Sequence, residues 1–378
     1  MRTRPTAALT CLALLGALFA VATAAPSAAA PDTASAADVA GGIDYVALGD
    51  SYTAGPLVPL QTPGPLGCFR SSSNYPAFLA TYLQVRSFTD VSCSAARTEH
   101  LFTSQTGSLP SGLPENHNAP QLLAVTEETD LVTLGIGGND FGLFGQMIDQ
   151  CGALAAEQPD ADAPCRDHFT VDGVDTKLRD ARAIQANVEG ALAAIRERAP
   201  HAQVVVVGYL HILPEEGTCA DVPFAPGDYA WGTQVHQALN TSLRQAAEAY
   251  GAEYVDTYGA SRGHDACAAD PWVNGAQLKP TAFAYHPYRS GMKAVADVTY
   301  RQLTGAEPSV LALPLLALVQ RLPQVLDVDG LLTYLANGGS VPPETLEQLP
   351  PTEPAVDPDV VADVFARLTA LDAAVPTS

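Results

Sequence analysis

Short apolar runs and longer amphipathic ones alternate along the middle of the chain. The runs IDYVAL (43–48), FTDVSC (88–93), DLVTLGI (130–136), QVVVVGY (203–209) and AEYVDTY (252–258) are mostly β-branched or aromatic, bounded by Gly, Asp or Ser. That pattern predicts strands. Between them, 175–199 and 232–251 repeat apolar residues every three or four positions, as helices with one buried face do. The alternation predicts an α/β fold over 42–304: a three-layer open sheet of about five parallel strands flanked by helices.

The two ends break the pattern. Arg2 and Arg4 precede an apolar run from Ala7 to Ala22, and small residues follow, so 1–30 read as a secretory signal peptide rather than a membrane span. Residues 305–378 are rich in proline and nearly free of basic residues, with short amphipathic pieces among polar linkers. They read as a C-terminal extension of unknown role, either a partly ordered appendage or a clamp over an apolar cleft.

Charge and cysteine usage narrow the partners. The net charge of −22 repels nucleic acid and anionic head groups, which excludes nucleic-acid binding and ranks phospholipase action low. Seven cysteines are present, and Cys11 lies in the signal. The even remainder in an exported chain predicts disulfides, although sequence alone cannot choose their connectivity. Each consecutive pair brackets an irregular stretch containing Gly or Pro, so the expected pairing is Cys68 with Cys93, Cys151 with Cys165 and Cys219 with Cys267. No C-x-x-C or H-x-x-x-H spacing appears, so no metal is expected. A secreted, extracellular monomer without stable membrane insertion is the expected state.

Candidate chemistry sits where strands end, because active sites of open α/β sheets lie at the carboxyl ends of strands. Gly49-Asp50-Ser51 follows the first strand directly, so Ser51 is offered to a cleft beside the free amides of a starting helix. A plain helix cap would use the same residue types. Gly137-Gly138-Asn139-Asp140 follows the third strand, and its asparagine amide is a potential oxyanion donor, although such residues also make ordinary turns. His286 precedes a helix-like segment near the end of the domain. Gly259 to Gly263, GASRG, matches the G-x-S-x-G elbow of another hydrolase fold, but a turn-rich stretch follows Ser261 instead of a helix.

Gly49-Asp50-Ser51, Gly137-Gly138-Asn139-Asp140 and His286-Pro287, in that order, resemble the SGNH, or GDSL, hydrolase family. The stretches 93–101, 204–214 and 264–275 resemble its secreted actinobacterial lipase and esterase branch. The resemblance implies a flavodoxin-like fold, three disulfides paired in sequence order, and no cofactor. It further implies Ser51 as nucleophile, His286 as its base, and an oxyanion hole from the Ser51 N–H, Asn139 and the N–H of Ala95. Two positions depart from the family pattern. Ala95 stands where glycine is usual, and Phe283 stands where an aspartate often precedes the histidine by three residues. With no carboxylate there, the Phe283 carbonyl is expected to orient the imidazole, as a main-chain carbonyl does in that branch; Asp265 and Asp270 are the alternatives.

The implied reaction is hydrolysis of a carboxylic ester, a small-molecule or lipid ester, through an acyl-Ser51 intermediate. The stretch FGLFGQMI at 141–148 is expected to line an acyl groove or to be helix core. The competing readings are a carbohydrate acetyl esterase and a non-catalytic binding domain on the same fold.

Overall fold

The computed structural model describes residues 42–308 except 60, 63 and 107–116. The signal segment and nearly all of the C-terminal extension lie outside the described residues. Five strands form one sheet: β1 (Asp44–Gly49), β2 (Ser87–Asp90), β3 (Leu131–Gly135), β4 (Gln203–Val207) and β5 (Glu253–Val255). Their order is β2-β1-β3-β4-β5, and every neighbouring pair is parallel. The helices are α1 (Ser51–Ala54), α2 (Tyr75–Leu83), α3 (Leu143–Glu157), α4 (Pro164–His168), α5 (Thr176–Arg198), α6 (Pro226–Ala249), α7 (Thr257–Ala260) and α8 (Arg289–Thr304). None of the described helices is long and apolar enough to cross a membrane.

The three central strands, β1, β3 and β4, are mostly apolar because both faces are covered. Val46, Leu48, Val132, Leu134, Val204 and Val206 pack with residues of α3, α5 and α6 on one side. Tyr45, Ala47, Val205 and Val207 alternate with them and pack with α2 and α8 on the other. The edge strands β2 and β5 end well before their apolar runs do. β2 stops at Asp90, whose carboxylate turns the chain by accepting both the Ser92 N–H and its hydroxyl. β5 stops at Val255 because Asp256 caps α7 through the Gly259 N–H. Similarly, α5 begins where Asp175 accepts the Leu178 N–H, and it ends before Pro200.

The strand order places the topological switch between β1 and β3, since the chain passes from β1 to one side of it and from β2 to the other. Ligands of open α/β sheets bind outside such a switch. Ser51 and the Gly137–Asp140 turn leave the sheet at that point. The disulfides join Cys68 to Cys93, Cys151 to Cys165 and Cys219 to Cys267, as the bracketing of irregular stretches predicted.

Candidate active site

The turn after β1 is built by the sequence Gly-Asp-Ser. A β-carbon on Gly49 would lie 2.2 Å from Thr53 Oγ1 and 2.6 Å from the Gly135 carbonyl oxygen, so only glycine lets α1 fold straight back over the strand end. Asp50 caps α1, its carboxylate accepting the Tyr52 N–H at 2.9 Å. Capping therefore falls to the aspartate, and the serine stands next to it with its side chain uncommitted to the cap. Helix α1 is a single turn, so its dipole contributes little and individual N–H groups supply the donors.

Ser51 Oγ lies 2.8 Å from His286 Nε2. His286 Nδ1 lies 2.7 Å from the carbonyl oxygen of Ala284. The orienting group is thus a main-chain carbonyl, but one residue later than expected. Tyr285 adopts φ 59°, in the left-handed region, and this bend brings the Ala284 carbonyl round to the imidazole. The Phe283 carbonyl is turned away, where it accepts the His286 N–H at 3.2 Å and the Asn274 amide at 3.0 Å. Asp265 accepts the Cys267 N–H and Asp270 lies against His264, so neither carboxylate serves His286. Burial against Tyr52 and Phe283 lowers the His286 pKa to about 4, opposed only by the Ala284 carbonyl. The ring is neutral at pH 7 and free to take a proton.

Ser51, Ala95 and Asn139 line one cavity of about 200 Å³ together with His286. Among the described residues, the N–H groups of Ser51 and Ala95 enter no backbone hydrogen bond. Asn139 gives one amide hydrogen to the Ala96 carbonyl at 3.0 Å, which leaves the second. Ala95 sits at φ 63°, so the position where the resemblance leads one to expect glycine does take a glycine-like conformation. An L-residue is held there at a cost of roughly 1–2 kcal/mol. Apart from Asp50 and Ser94 the rest of the lining is apolar or aromatic, including Phe69, Phe144, Ile148, Ile212 and Phe283.

Residues 47–294 match the model of the GDSL-like lipase/acylhydrolase family. The chain belongs to that family. It is 38% identical over 298 residues to Lipase 2 of Streptomyces coelicolor, covering 75% of this chain and 90% of that protein. The solved extracellular lipase of Streptomyces rimosus is 30% identical with a TM-score of 0.55, covering 68% of this chain and 98% of that one. Phospholipase A1 of Streptomyces albidoflavus NA297 is 28% identical, also with a TM-score of 0.55, over 69% of this chain and 98% of its own. The protein is a carboxylic ester hydrolase of the lipase/esterase type.

The hydrolase holds its motif residues with groups that motif spacing did not reveal. Tyr209, two residues past the end of β4, accepts the Gly138 N–H at 2.7 Å and donates its own hydroxyl to Asp50, bridging the turns after β1 and β3. Buried there, Asp50 has its pKa raised to about 7 despite the Tyr209 and Tyr52 donors. Asp140 accepts the Thr98 N–H at 2.9 Å, the Thr98 hydroxyl and the Asn187 amide, which ties the Ala95 loop to the Asn139 turn. Gln121 bonds both the N–H and the C=O of Gly49, at 2.8 and 2.9 Å. Asn274 fixes the histidine turn through the His286 and Phe283 carbonyls, and Tyr52 donates to the Tyr285 carbonyl. Of these, Tyr209 carried a sequence signal, as an aromatic residue at a strand's carboxyl end, and Asn274 lies in a stretch that resembled the family.

Ser261 is elsewhere. Its hydroxyl donates to the Thr257 carbonyl at 2.8 Å and accepts the His211 N–H at 2.8 Å, fully buried at the end of α7.

Proposed function

We propose that this hydrolase cleaves acyl esters, lipid esters among them, with Ser51 as nucleophile and His286 as general base. The single observation that carries the reading is the 2.8 Å approach of Ser51 Oγ to the neutral imidazole at the mouth of an apolar cavity. As Oγ attacks the ester carbonyl, its proton passes to His286 Nε2, and the Ala284 carbonyl stabilises the imidazolium through Nδ1–H. The oxyanion is held by the Ser51 and Ala95 N–H groups and the Asn139 amide. Collapse expels the alcohol, which takes the proton from Nε2. Water, deprotonated by the same nitrogen, then attacks the acyl-serine; collapse releases the acid, and the departing Ser51 Oγ takes the proton back from Nε2.

The aromatic and aliphatic walls favour an acyl chain over the acetyl group of a carbohydrate. The similarity to a phospholipase A1 brings phospholipid acyl esters into the substrate range. Three disulfides and the N-terminal pattern support export, with residues 1–30 as the signal. The test is hydrolysis of p-nitrophenyl esters from acetyl to hexadecanoyl by the wild type and Ser51→Ala. Loss of turnover in the variant and a preference for chains longer than acetyl are expected. Equal activity of the two proteins would remove Ser51 from the reaction.

A further inference from the structure

Glycine 145 is out of place by local physics. It lies within the first turn of α3, where glycine costs more conformational entropy than any other residue. Elsewhere around the site the fold demands glycine: a β-carbon on Gly138 would lie 2.8 Å from the Phe144 ring, and Gly49 is boxed in as described. At Gly145 an added β-carbon meets no heavy atom within 4 Å outside its two chain neighbours and its own helix backbone. Its backbone needs no glycine either, since no positive φ occurs there.

The surroundings say what the open space serves. Leu143, Met147 and Cys151 of α3 point into the core, whereas Phe144, Gly145 and Ile148 line the cavity beside Ser51. Gly145 and Ile148 are three residues apart and share a face of the helix. Gly145 is exposed, while Phe144 and Ile148 are half-buried, so it stands at the outer lip. The cavity, about 200 Å³, falls below the roughly 300 Å³ at which pockets for drug-sized ligands begin. An exposed residue in the lining offers a longer acyl chain a way out to solvent.

We propose that Gly145 sets the acyl-length limit of this hydrolase, its missing side chain keeping open the path by which chains too long for the cavity run out to solvent. The inference rests on the acyl-ester reading above and assigns to it medium- and long-chain acyl esters as the substrate class.

The experiment compares wild type, Gly145→Ala and Gly145→Leu on p-nitrophenyl acetate, butyrate, octanoate and dodecanoate, with thermal melting of each protein. In Gly145→Leu the dodecanoate-to-butyrate ratio of kcat/KM should fall about tenfold, the order of a misfit of one or two carbons in an apolar pocket. In Gly145→Ala it should fall about twofold, and butyrate turnover should stay within about twofold in both. Neither Tm should drop, because both residues favour the helix more than glycine does. An unchanged ratio in Gly145→Leu overturns the proposal, and so does an equal loss on short and long esters. A wild type with no gain from acetate to octanoate would instead refute the acyl-cavity reading itself, before any variant is made.

Discussion

Two serines, Ser51 and Ser261, each follow a parallel strand of the same sheet by a few residues and sit in a glycine-containing motif. Ser51 begins a helix, and its hydroxyl meets a neutral imidazole. Ser261 ends one, and its hydroxyl is spent on a main-chain carbonyl and a main-chain N–H. The difference lies in which helix terminus the side chain faces. At a helix start, N–H groups are left over and can serve a ligand, whereas at a helix end the leftover groups are carbonyls, which consume a hydroxyl proton. A motif of the G-x-S-x-G kind carries information only together with the helix that should follow it.

The contrast can be broken first at Ser51. Ser51→Ala should lower kcat on p-nitrophenyl butyrate by roughly 10⁴- to 10⁶-fold while the melting temperature stays within about a degree. Next in size is Asn139→Ala, which removes one proposed oxyanion donor; a loss of about 10²- to 10³-fold in kcat with little change in KM is expected. A loss confined to KM would assign Asn139 to substrate binding instead.

The pH dependence is a smaller effect with a definite sign. Only the neutral imidazole accepts the serine proton, and burial lowers the His286 pKa to about 4. The acid limb of kcat/KM should therefore bend near pH 4 and fall about tenfold per unit below it. Circular dichroism at each pH separates this limb from unfolding. A bend between pH 6 and 7 would point instead to a solvated His286 ring or to Asp50, whose pKa burial raises to about 7. Last comes Ser261→Ala, which should keep activity within about twofold yet destabilise by about 1–3 kcal/mol, because it strands the buried His211 N–H. A large activity loss without destabilisation would reverse the roles of the two serines.

Much of the architecture was legible because it follows from periodicity. The apolar runs at 43–48 and 130–136 became β1 and β3 with small shifts of boundary, and the amphipathic stretch 175–199 became α5. Ser51, Asn139 and His286 were legible because each stands where the chain leaves or re-enters a regular element. The Ala284 carbonyl was not, since a left-handed Tyr285 decides it, and tyrosine gives no hint of that conformation. Gln121 was equally silent: a glutamine in a loop reads as surface, whereas here it is fully buried and does for Gly49 what a neighbouring strand would. Local composition reports what an element is, and it does not report which distant backbone a side chain will satisfy.

The bridge between Cys68 and Cys93 reaches further than its place in the fold suggests. It joins the segment carrying Phe69 to the loop carrying Ser94 and Ala95, and the Ser94 N–H bonds the Cys68 carbonyl beside it at 3.0 Å. Closing a separation of 25 residues removes about 3–4 kcal/mol of freedom from the unfolded chain. The choice of expression host is therefore a choice about the loop that carries Ala95, the proposed oxyanion donor. Reduction of this bridge leaves the Ala95 loop to its hydrogen bonds, Thr98 on Asp140 and Gln105 on the Ser94 carbonyl, so a reducing cytosol is expected to loosen that loop and lower turnover before the sheet beneath it gives way.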